Sequence, residues 1–197
     1  RDANSNTRPH GVSEVLSHQD PGLIGENVSA VDGSRVNSLD GRTSNPGHSL
    51  EAMWFIMDLG CRLSRHELID RAVEISLHTI EYGWDKEYGG IFYFMDRLGY
   101  PQQQLEWDQK LWWVHLEAAI TMIKAYRLTG NRTCLAWFEK LDAYMWSHFK
   151  DPEHPEWFGY LNRRGEVLLP LKGGKWKGCF HLPRGLFQIS KILEECK

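Results

Sequence analysis

Aromatic side chains are confined to one part of this 197-residue chain, and that confinement limits where a hydrophobic core can form. All 24 of them, 9 Trp, 7 Tyr and 8 Phe, lie after residue 50. The first fifty residues are instead rich in Asn, Ser, Asp and Gly, which bury little apolar surface and favour loops. We therefore predict a polar, loop-rich lead-in over residues 1–44 and a folded region over residues 45–197.

Beyond residue 47 the apolar residues recur at the spacing of a helix face. Leu50, Trp54 and Met57 stand four and three residues apart, which predicts a helix over 48–63. The same period predicts further helices over 65–81, 105–129, 131–150 and from 181 onward. Gly130 and Pro152 supply the breaks expected after the third and fourth helices.

Two short aromatic segments interrupt the helices, and each follows a pair of them. They cover 84–94 and 157–169 and have strand-like composition with tight turns, the second turn lying at 162–165. This order predicts helical hairpins joined by β-hairpin loops on one face. Alternating long helices in two layers form an α/α toroid. We therefore predict an all-α fold that supplies under half of such a ring.

The net charge limits the kinds of partner that the protein can bind, and the cysteine pattern indicates its cellular compartment. With 23 Lys+Arg against 26 Asp+Glu the net charge is −3, which argues against nucleic acid or an anionic membrane as the main partner. No apolar run approaches the ~18 residues of a membrane-spanning helix. The four cysteines form no CxxC pair and the histidines have no metal-ligand spacing, so we predict a reduced, intracellular protein without a bound metal.

The first candidate site is the segment 45–51, in which a Pro-Gly turn leads into the first long helix. His48 falls in the first turn of that helix, where the helix dipole disfavours an imidazolium and favours a neutral base. Glu51 lies three residues later on the same face. The alternative is structural: His48 caps the helix and Glu51 complements its dipole.

The second candidate site lies in the segment 104–117, where tryptophans adjoin carboxylates. Trp113 and Glu117 are one helical turn apart, and Trp112 diverges from Trp113 by about 100°. Aromatic faces beside carboxylates bind sugars, because the ring packs on C–H groups while the carboxylate accepts from hydroxyls. The alternative is that the tryptophans fill the core and Glu117 has a buried partner there.

The third candidate site is the segment 175–184. His181 follows a glycine turn and opens the last helix, with Arg184 three residues later. His48 and His181 thus share a setting at the start of a helix, and the predicted starts near 48, 106 and 181 open onto one end of the toroid. The neighbouring basic loop 172–177 is predicted to be solvated, with anionic groups as an alternative ligand.

Five motifs of the chain resemble the N-acylglucosamine 2-epimerase family, also known as renin-binding protein. They are Asn-Pro-Gly-His-Ser-Leu-Glu at 45–51, Gly-Trp-Asp…Gly-Gly-Ile-Phe-Tyr-Phe at 83–94, Gln-Leu-Glu-Trp…Lys-Leu-Trp-Trp at 104–113, Glu-Trp-Phe-Gly-Tyr-Leu at 156–161 and Lys-Gly-Cys-Phe-His-Leu-Pro-Arg at 177–184. The resemblance implies an (α/α)6 barrel, to whose C-terminal half residues 45–197 are similar. It identifies His48 and His181 with the catalytic histidines, and it places Glu51, Trp112, Trp113 and Glu117 in the sugar pocket.

The function that this resemblance implies is interconversion of N-acetylglucosamine and N-acetylmannosamine through proton exchange at C2. Two histidines suit this reaction, because imidazole titrates near neutral pH and can act as acid or base. Arg184 is the nearest candidate to stabilise the enediolate oxygen. The open alternatives are an aldose–ketose isomerase, a non-catalytic renin-binding module and an α/α-barrel glycoside hydrolase using Glu51 and Glu117.

The resemblance also implies partners and regulation. It predicts an amino sugar or aldose as substrate, no required cofactor, ATP as an allosteric effector and a homodimer in the cytoplasm. A renin-like protein is a further partner by resemblance.

Overall fold

The computed structural model describes residues 23–196, so residues 1–22 of the predicted lead-in lie outside the described part of the chain. Six helices and five short strands follow one another there. The helices are α1 (Leu39–Arg42), α2 (Pro46–Leu63), α3 (His66–Gly83), α4 (Trp112–Thr129), α5 (Arg132–His148) and α6 (His181–Glu195). The strands are β1 (Thr43–Ser44), β2 (Met95–Asp96), β3 (Lys110–Leu111), β4 (Tyr160–Leu161) and β5 (Val167–Leu169).

The five long helices pack as hairpins in two layers. Helices α2 and α3 form one hairpin and α4 and α5 form the next, while α4 also packs between α2 and α6. Helices α2, α4 and α6 therefore make one layer, and α3 and α5 make the other. The central helix α4 is buried on nearly every side, which its almost continuously apolar sequence allows.

The predicted helix faces are buried largely as their spacing indicated. Leu50, Trp54 and Met57 of α2 are all buried in the core. In α6 the face is rotated slightly, because Ile192 is buried whereas Leu193 is 39% exposed. A left-handed Gly130, with φ of 70°, ends α4 as expected.

The start of α4 differs from its prediction. The helix begins at Trp112 rather than at 105, because Lys110 and Leu111 pair with Leu161 and Tyr160 in an antiparallel sheet. The amide of Trp112 also donates to the carbonyl of Gly159 at 3.1 Å. These bonds hold the backbone extended until the first turn of the helix.

A β-bridge follows each helical hairpin, as the repeated aromatic segments predicted. Trp84 pairs with Ile91 after α3, and Lys150 pairs with Trp157 after α5. The predicted turn at 162–165 connects β4 to β5. The first segment does not continue as a hairpin beyond Phe92, whose amide donates to the carbonyl of Gly83, because the amides of residues 93 and 94 donate to the carbonyl of Trp107 instead.

Residues 23–44 lie against the helices rather than apart from them. Leu23 is buried, and the hydroxyl of Ser44 donates to the carbonyl of Ile24 at 2.8 Å. Strand β1 at the end of this segment pairs with β2, which precedes α4. The boundary predicted at residue 44 stays a prediction. Within residues 23–196, none of the helices has the length and apolar character required to cross a bilayer.

Candidate functional site

A cavity of about 480 Å³ lies where α2, α4 and α6 begin. His48 is in the first turn of α2, Trp112 and Trp113 open α4, and His181 opens α6. The common location of these helix starts brings the three predicted segments to one place. The lining residues are His48, Glu51, Tyr93, Glu106, Gln109, Leu111, Trp112, Trp113, Tyr160, Trp176 and His181.

The imidazole of His48 is paired with a carboxylate. Asn45 caps α2 by accepting from the amide of His48 at 3.2 Å, and this contact positions the residue. Its Nδ1 lies 2.9 Å from Oε2 of Glu26, in the lead-in. The hydrogen bond to Glu26 raises the pKa of His48 against the effect of burial, so the net direction is opposite to the one expected from the helix start alone.

The imidazole of His181 has a carboxylate partner of its own. Its Nδ1 lies 2.6 Å from Oε1 of Glu117, which is completely buried. Arg184 donates to the same oxygen, and Nε1 of Trp54 donates to Oε2 of Glu117 at 2.9 Å. These three contacts satisfy both oxygens of the buried carboxylate, which offsets the free-energy cost of taking it out of water. Glu117 thus has the buried partners that the structural alternative expected, and it lies behind the cavity without lining it, whereas the resemblance placed it in the sugar pocket.

The indole of Trp113 lies in contact with both histidines. Its ring centroid is 5.0 Å from that of His48 and 5.5 Å from that of His181. Gly47 packs directly on this indole, since a Cβ there would lie 2.7 Å from a ring carbon. Trp112 is turned towards Tyr160, at 5.4 Å between ring centroids. Both tryptophans are more than nine-tenths buried, so they serve the core and the cavity wall together.

Glu51 adds a second carboxylate near His181. Burial, followed by the negative charge of Glu117, raises the pKa of Glu51, while His181 and Arg184 oppose that effect. Oxygens of Glu51 and Glu117 and a nitrogen of His181 lie within 4.8 Å of one another, a spacing that a metal ion could use. A cation there would lie beside Arg184, which already donates to Glu117, so the arrangement favours a neutral, hydroxyl-bearing ligand.

Arg184 is placed behind the cavity wall rather than on its lining. Besides Glu117, its guanidinium donates to Oε1 of Gln188 at 2.7 Å and stacks over the ring of Trp54 at 5.4 Å. It contacts the site through Glu117 and through His181, whose Nδ1 lies 3.5 Å from Nη2 of Arg184.

The basic loop 172–177 is largely paired. Lys172 forms an ion pair with Asp151, and Lys177 lies 2.6 Å from Glu156. Between them, Trp176 is 73% exposed at the edge of the cavity. The prediction of a solvated loop therefore fits its middle, whereas its ends are fastened by salt bridges.

Sequence reasoning missed several lining residues. Tyr93, Glu106, Gln109, Tyr160 and Trp176 all lie inside the segments singled out above, but their side chains carried no pattern of their own. Glu26 was missed altogether because it lies in the polar lead-in. An isolated acidic residue in a loop gives no sequence signal of the histidine it will meet.

Among solved structures, this fold occurs in a D-mannose isomerase and a cellobiose 2-epimerase. The D-mannose isomerase crystal structure superposes with a TM-score of 0.68 at 20% identity, covering 75% of this chain and 37% of the isomerase. Cellobiose 2-epimerase from Bacillus thermoamylovorans B4167 gives a TM-score of 0.62 at 21% identity, covering 78% of this chain and 38% of that protein. These likenesses confirm the predicted architecture of helical hairpins from an (α/α)6 barrel.

Sequence comparison gives the family. The model of the family described as N-acylglucosamine 2-epimerase (GlcNAc 2-epimerase) matches residues 16–182. N-acylglucosamine 2-epimerase of Mus musculus is 44% identical over 188 residues, which are 92% of this chain and 44% of the mouse protein. The chain thus spans less than half the length of this relative. With its motifs at 45–51 and 177–184 brought together at one cavity, the chain belongs to the N-acylglucosamine 2-epimerase family.

Proposed function

We propose that this chain supplies the two bases of a sugar 2-epimerase, an isomerase that interconverts N-acetylglucosamine and N-acetylmannosamine. The observation that carries the proposal is the pair of imidazoles on either side of Trp113, each bound at Nδ1 by a carboxylate. In both rings this leaves Nε2 as the nitrogen for proton transfer. Family membership supports the same reaction.

The reaction exchanges one proton at C2 of the open-chain sugar. The Nε2 atom of one histidine takes the proton from C2, and the C–H electrons form the C1–C2 double bond of an enediolate while the C1 carbonyl electrons move to its oxygen. The other histidine, entering as imidazolium, returns a proton to the opposite face of C2, and the carbonyl re-forms. His48 and His181 exchange these roles with the direction of reaction.

The remaining site residues bind and orient in this proposal. Glu51 accepts from sugar hydroxyls, and the indoles of Trp112 and Trp113 pack on the C–H face of the sugar. Glu117 holds His181 in place, and Arg184 fixes Glu117 by donating to the oxygen that His181 also contacts. The reaction requires no cofactor, because inversion at C2 by removal and return of a proton leaves the oxidation state of the sugar unchanged.

Deuterium wash-in at C2 of N-acetylglucosamine in heavy water tests the proposal. The expected result is exchange by the chain, a loss of at least ~100-fold in His48→Ala and His181→Ala, and no change in His66→Ala, an exposed histidine of α3. Undiminished exchange in the double variant of His48 and His181 would overturn the assignment. Conversion to N-acetylmannosamine identifies the reaction as epimerisation.

A second candidate is aldose–ketose isomerisation, which the structural likeness to D-mannose isomerase brings into consideration. It forms the same enediolate but delivers the proton to C1. A ketose product from mannose or glucose would identify it. The hydrolase alternative is less favoured, since Glu117 is held by His181 and Arg184 and is not placed to protonate a leaving group.

The proposal extends to partners by resemblance alone. It includes a homodimer in the cytoplasm, ATP as an allosteric effector and a renin-like protein as a binding partner. Normal binding of such a protein by the double histidine variant would favour a non-catalytic role. Dependence of the exchange rate on added ATP tests the regulatory part.

A further inference from the structure

Glu26 is the carboxylate partner of His48, although it lies 22 residues before it in the chain. Its Oε2 is 2.9 Å from Nδ1 of His48, and its side chain is 25% exposed while that of His48 is 55% exposed. The two groups thus meet at the rim of the cavity rather than in the core. Such a pair needs independent anchoring, because a rim contact between free side chains contributes little.

The backbone around Glu26 provides that anchoring. The amide of Glu26 donates to the carbonyl of Thr43 at 2.8 Å, and the hydroxyl of Ser44 donates to the carbonyl of Ile24 at the same distance. Leu23, three residues earlier, is buried. Strand β1 leads through Asn45 directly into α2, so the same short segment carries both the support of Glu26 and the cap of the His48 helix.

We propose that Glu26 is the positioning residue for His48: it accepts from Nδ1–H and so presents Nε2 to the cavity. A carboxylate on one imidazole nitrogen selects the tautomer, orients the ring and stabilises the imidazolium when the other nitrogen takes a proton. Glu26 orients the ring of His48 through Nδ1, as Glu117 orients that of His181, but Glu26 lies in a loop whereas Glu117 lies on helix α4. The consequence for proton exchange rests on the proposed function, whereas the effect on His48 itself does not.

Several charged and titratable groups lie around His48, and the effect of Glu26 must be separated from theirs. Glu26 faces it from the lead-in and Glu51 from its own helix α2, and both favour its cationic form. Tyr93, Glu106 and His181 line the same cavity. Only Glu26 makes a hydrogen bond to the His48 ring among the contacts of the described residues. Replacing it should therefore alter His48 while the rest of the cavity stays in place.

The experiment is a pH titration of the ¹⁵N-labelled chain, following the ring nitrogens of His48 by two-bond ¹H–¹⁵N spectra. Three forms are compared with the wild type: Glu26→Gln, Glu26→Ala and, as the control, Glu74→Gln, which removes an exposed carboxylate paired with Arg71 on α3. The amide of the Gln variant can still accept from Nδ1–H but has no charge. The Ala variant lacks both the acceptor and the charge.

The expected result has two parts. The pKa of His48 falls in both Glu26 variants, and the Nδ1–H tautomer loses its dominance only in Glu26→Ala. Glu74→Gln changes neither. The rate of C2 exchange drops about tenfold in Glu26→Gln, with its pH profile displaced to lower pH by the same amount as the His48 titration.

The failures of the two proposals are distinguishable. An unchanged pKa and an unchanged tautomer ratio of His48 in Glu26→Ala, with dispersed spectra showing a folded chain, would overturn the positioning role. If His48 responds as expected but the wild-type chain shows no C2 exchange, the positioning role stands and the proposed reaction fails. If exchange falls while His48 does not respond, Glu26 acts elsewhere and the inference is wrong.

Discussion

Glu117 holds His181 through a hydrogen bond of 2.6 Å between Oε1 and Nδ1, although Glu117 has no exposure to solvent. Burying a carboxylate is costly unless its oxygens are satisfied. Trp54 from α2, His181 and Arg184 from α6 all direct donors at it from other helices. The side chain of Glu117, on the central helix α4, therefore links α4 to α2 and to α6 beside the site.

Replacing Glu117 by Gln is expected to lower the free energy of unfolding by about 3 kcal/mol, because the guanidinium of Arg184 loses its buried counter-charge. C2 exchange should fall as well, since His181 is no longer held. Urea denaturation and deuterium wash-in measure the two effects.

The matched control is Glu194→Gln on α6, whose carboxylate forms an exposed pair with Lys191. Glu194→Gln should lower the free energy of unfolding by no more than about 0.5 kcal/mol. Equal losses in the two variants would contradict a special role for the buried carboxylate.

His115, which does not line the cavity, makes the free energy of unfolding sensitive to acid. It is fully buried, with Nδ1 2.7 Å from the carbonyl of Leu111 and with Nε2 accepting from the amide of Ile91 at 2.9 Å. Burial lowers the pKa of His115 to about 3 from its ordinary 6.5. The folded state therefore resists the proton that the unfolded state accepts.

This stability is present above pH 6.5 and is lost as the pH falls towards 3, by about 3 kcal/mol at pH 4.5. His115→Gln should be less stable than the wild type at pH 7 but should lose less stability between pH 7 and 4.5. Exposed His66→Gln should follow the wild-type curve. Parallel curves for wild type and His115→Gln in urea titrations at each pH would show that His115 is not the source.

Gly47 sets the position of Trp113. A Cβ at residue 47 would lie 2.7 and 2.8 Å from two ring carbons of Trp113 and 2.8 Å from a methyl of Val114. Gly47→Ala is therefore expected to destabilise the chain by about 2 kcal/mol through overpacking and to displace the indole. Thermal or urea denaturation and near-ultraviolet circular dichroism measure these changes.

The shorter ring of Phe lacks the carbons that the new methyl would meet, so adding Gly47→Ala to Trp113→Phe should cost less than adding it to the wild type. Gly174→Ala is the control, since its Cβ would have no heavy atom within 4 Å. If Gly47→Ala lowers the free energy of unfolding as much in the Trp113→Phe variant as in the wild type, the steric strain does not come from the contact with Trp113.

Removal of metal should leave C2 exchange unchanged. The donor set of Glu51, Glu117 and His181 lies within 4.8 Å, but Arg184 already supplies positive charge to Glu117. Exchange is measured after dialysis against EDTA and again after zinc, manganese or magnesium is added. A loss on dialysis that one of these ions restores would establish a metal-dependent site instead.

Local patterns predicted the helices well because an amphipathic face is a local property. Leu50, Trp54 and Met57 are buried on α2 as their spacing indicated, and Gly130 ends α4. The predicted start of α4 at 105 failed for a non-local reason: Lys110 and Leu111 are held as a strand by residues some fifty positions later. A helix period cannot reveal a competing strand partner that far along the chain.

The residues of the candidate site were likewise predicted only in part. Motif position and residue type pointed to His48, Glu51, Trp113 and His181, and all four line one cavity. Arg184 was predicted near the substrate, but its guanidinium is directed at Glu117 and Gln188. Side-chain direction at the end of a long, flexible residue depends on its neighbours in space.

The sequence by itself determined the helical hairpins, the family and the placing of two histidines at helix starts, because periodicity, capping and motif spacing all act over short stretches of chain. Only the tertiary structure decided which carboxylate serves which histidine. Glu26 reaches His48 across 22 residues and Glu117 reaches His181 across 64. Those hydrogen bonds exist only after the helices and the lead-in have packed, since packing alone brings such distant groups within 3 Å.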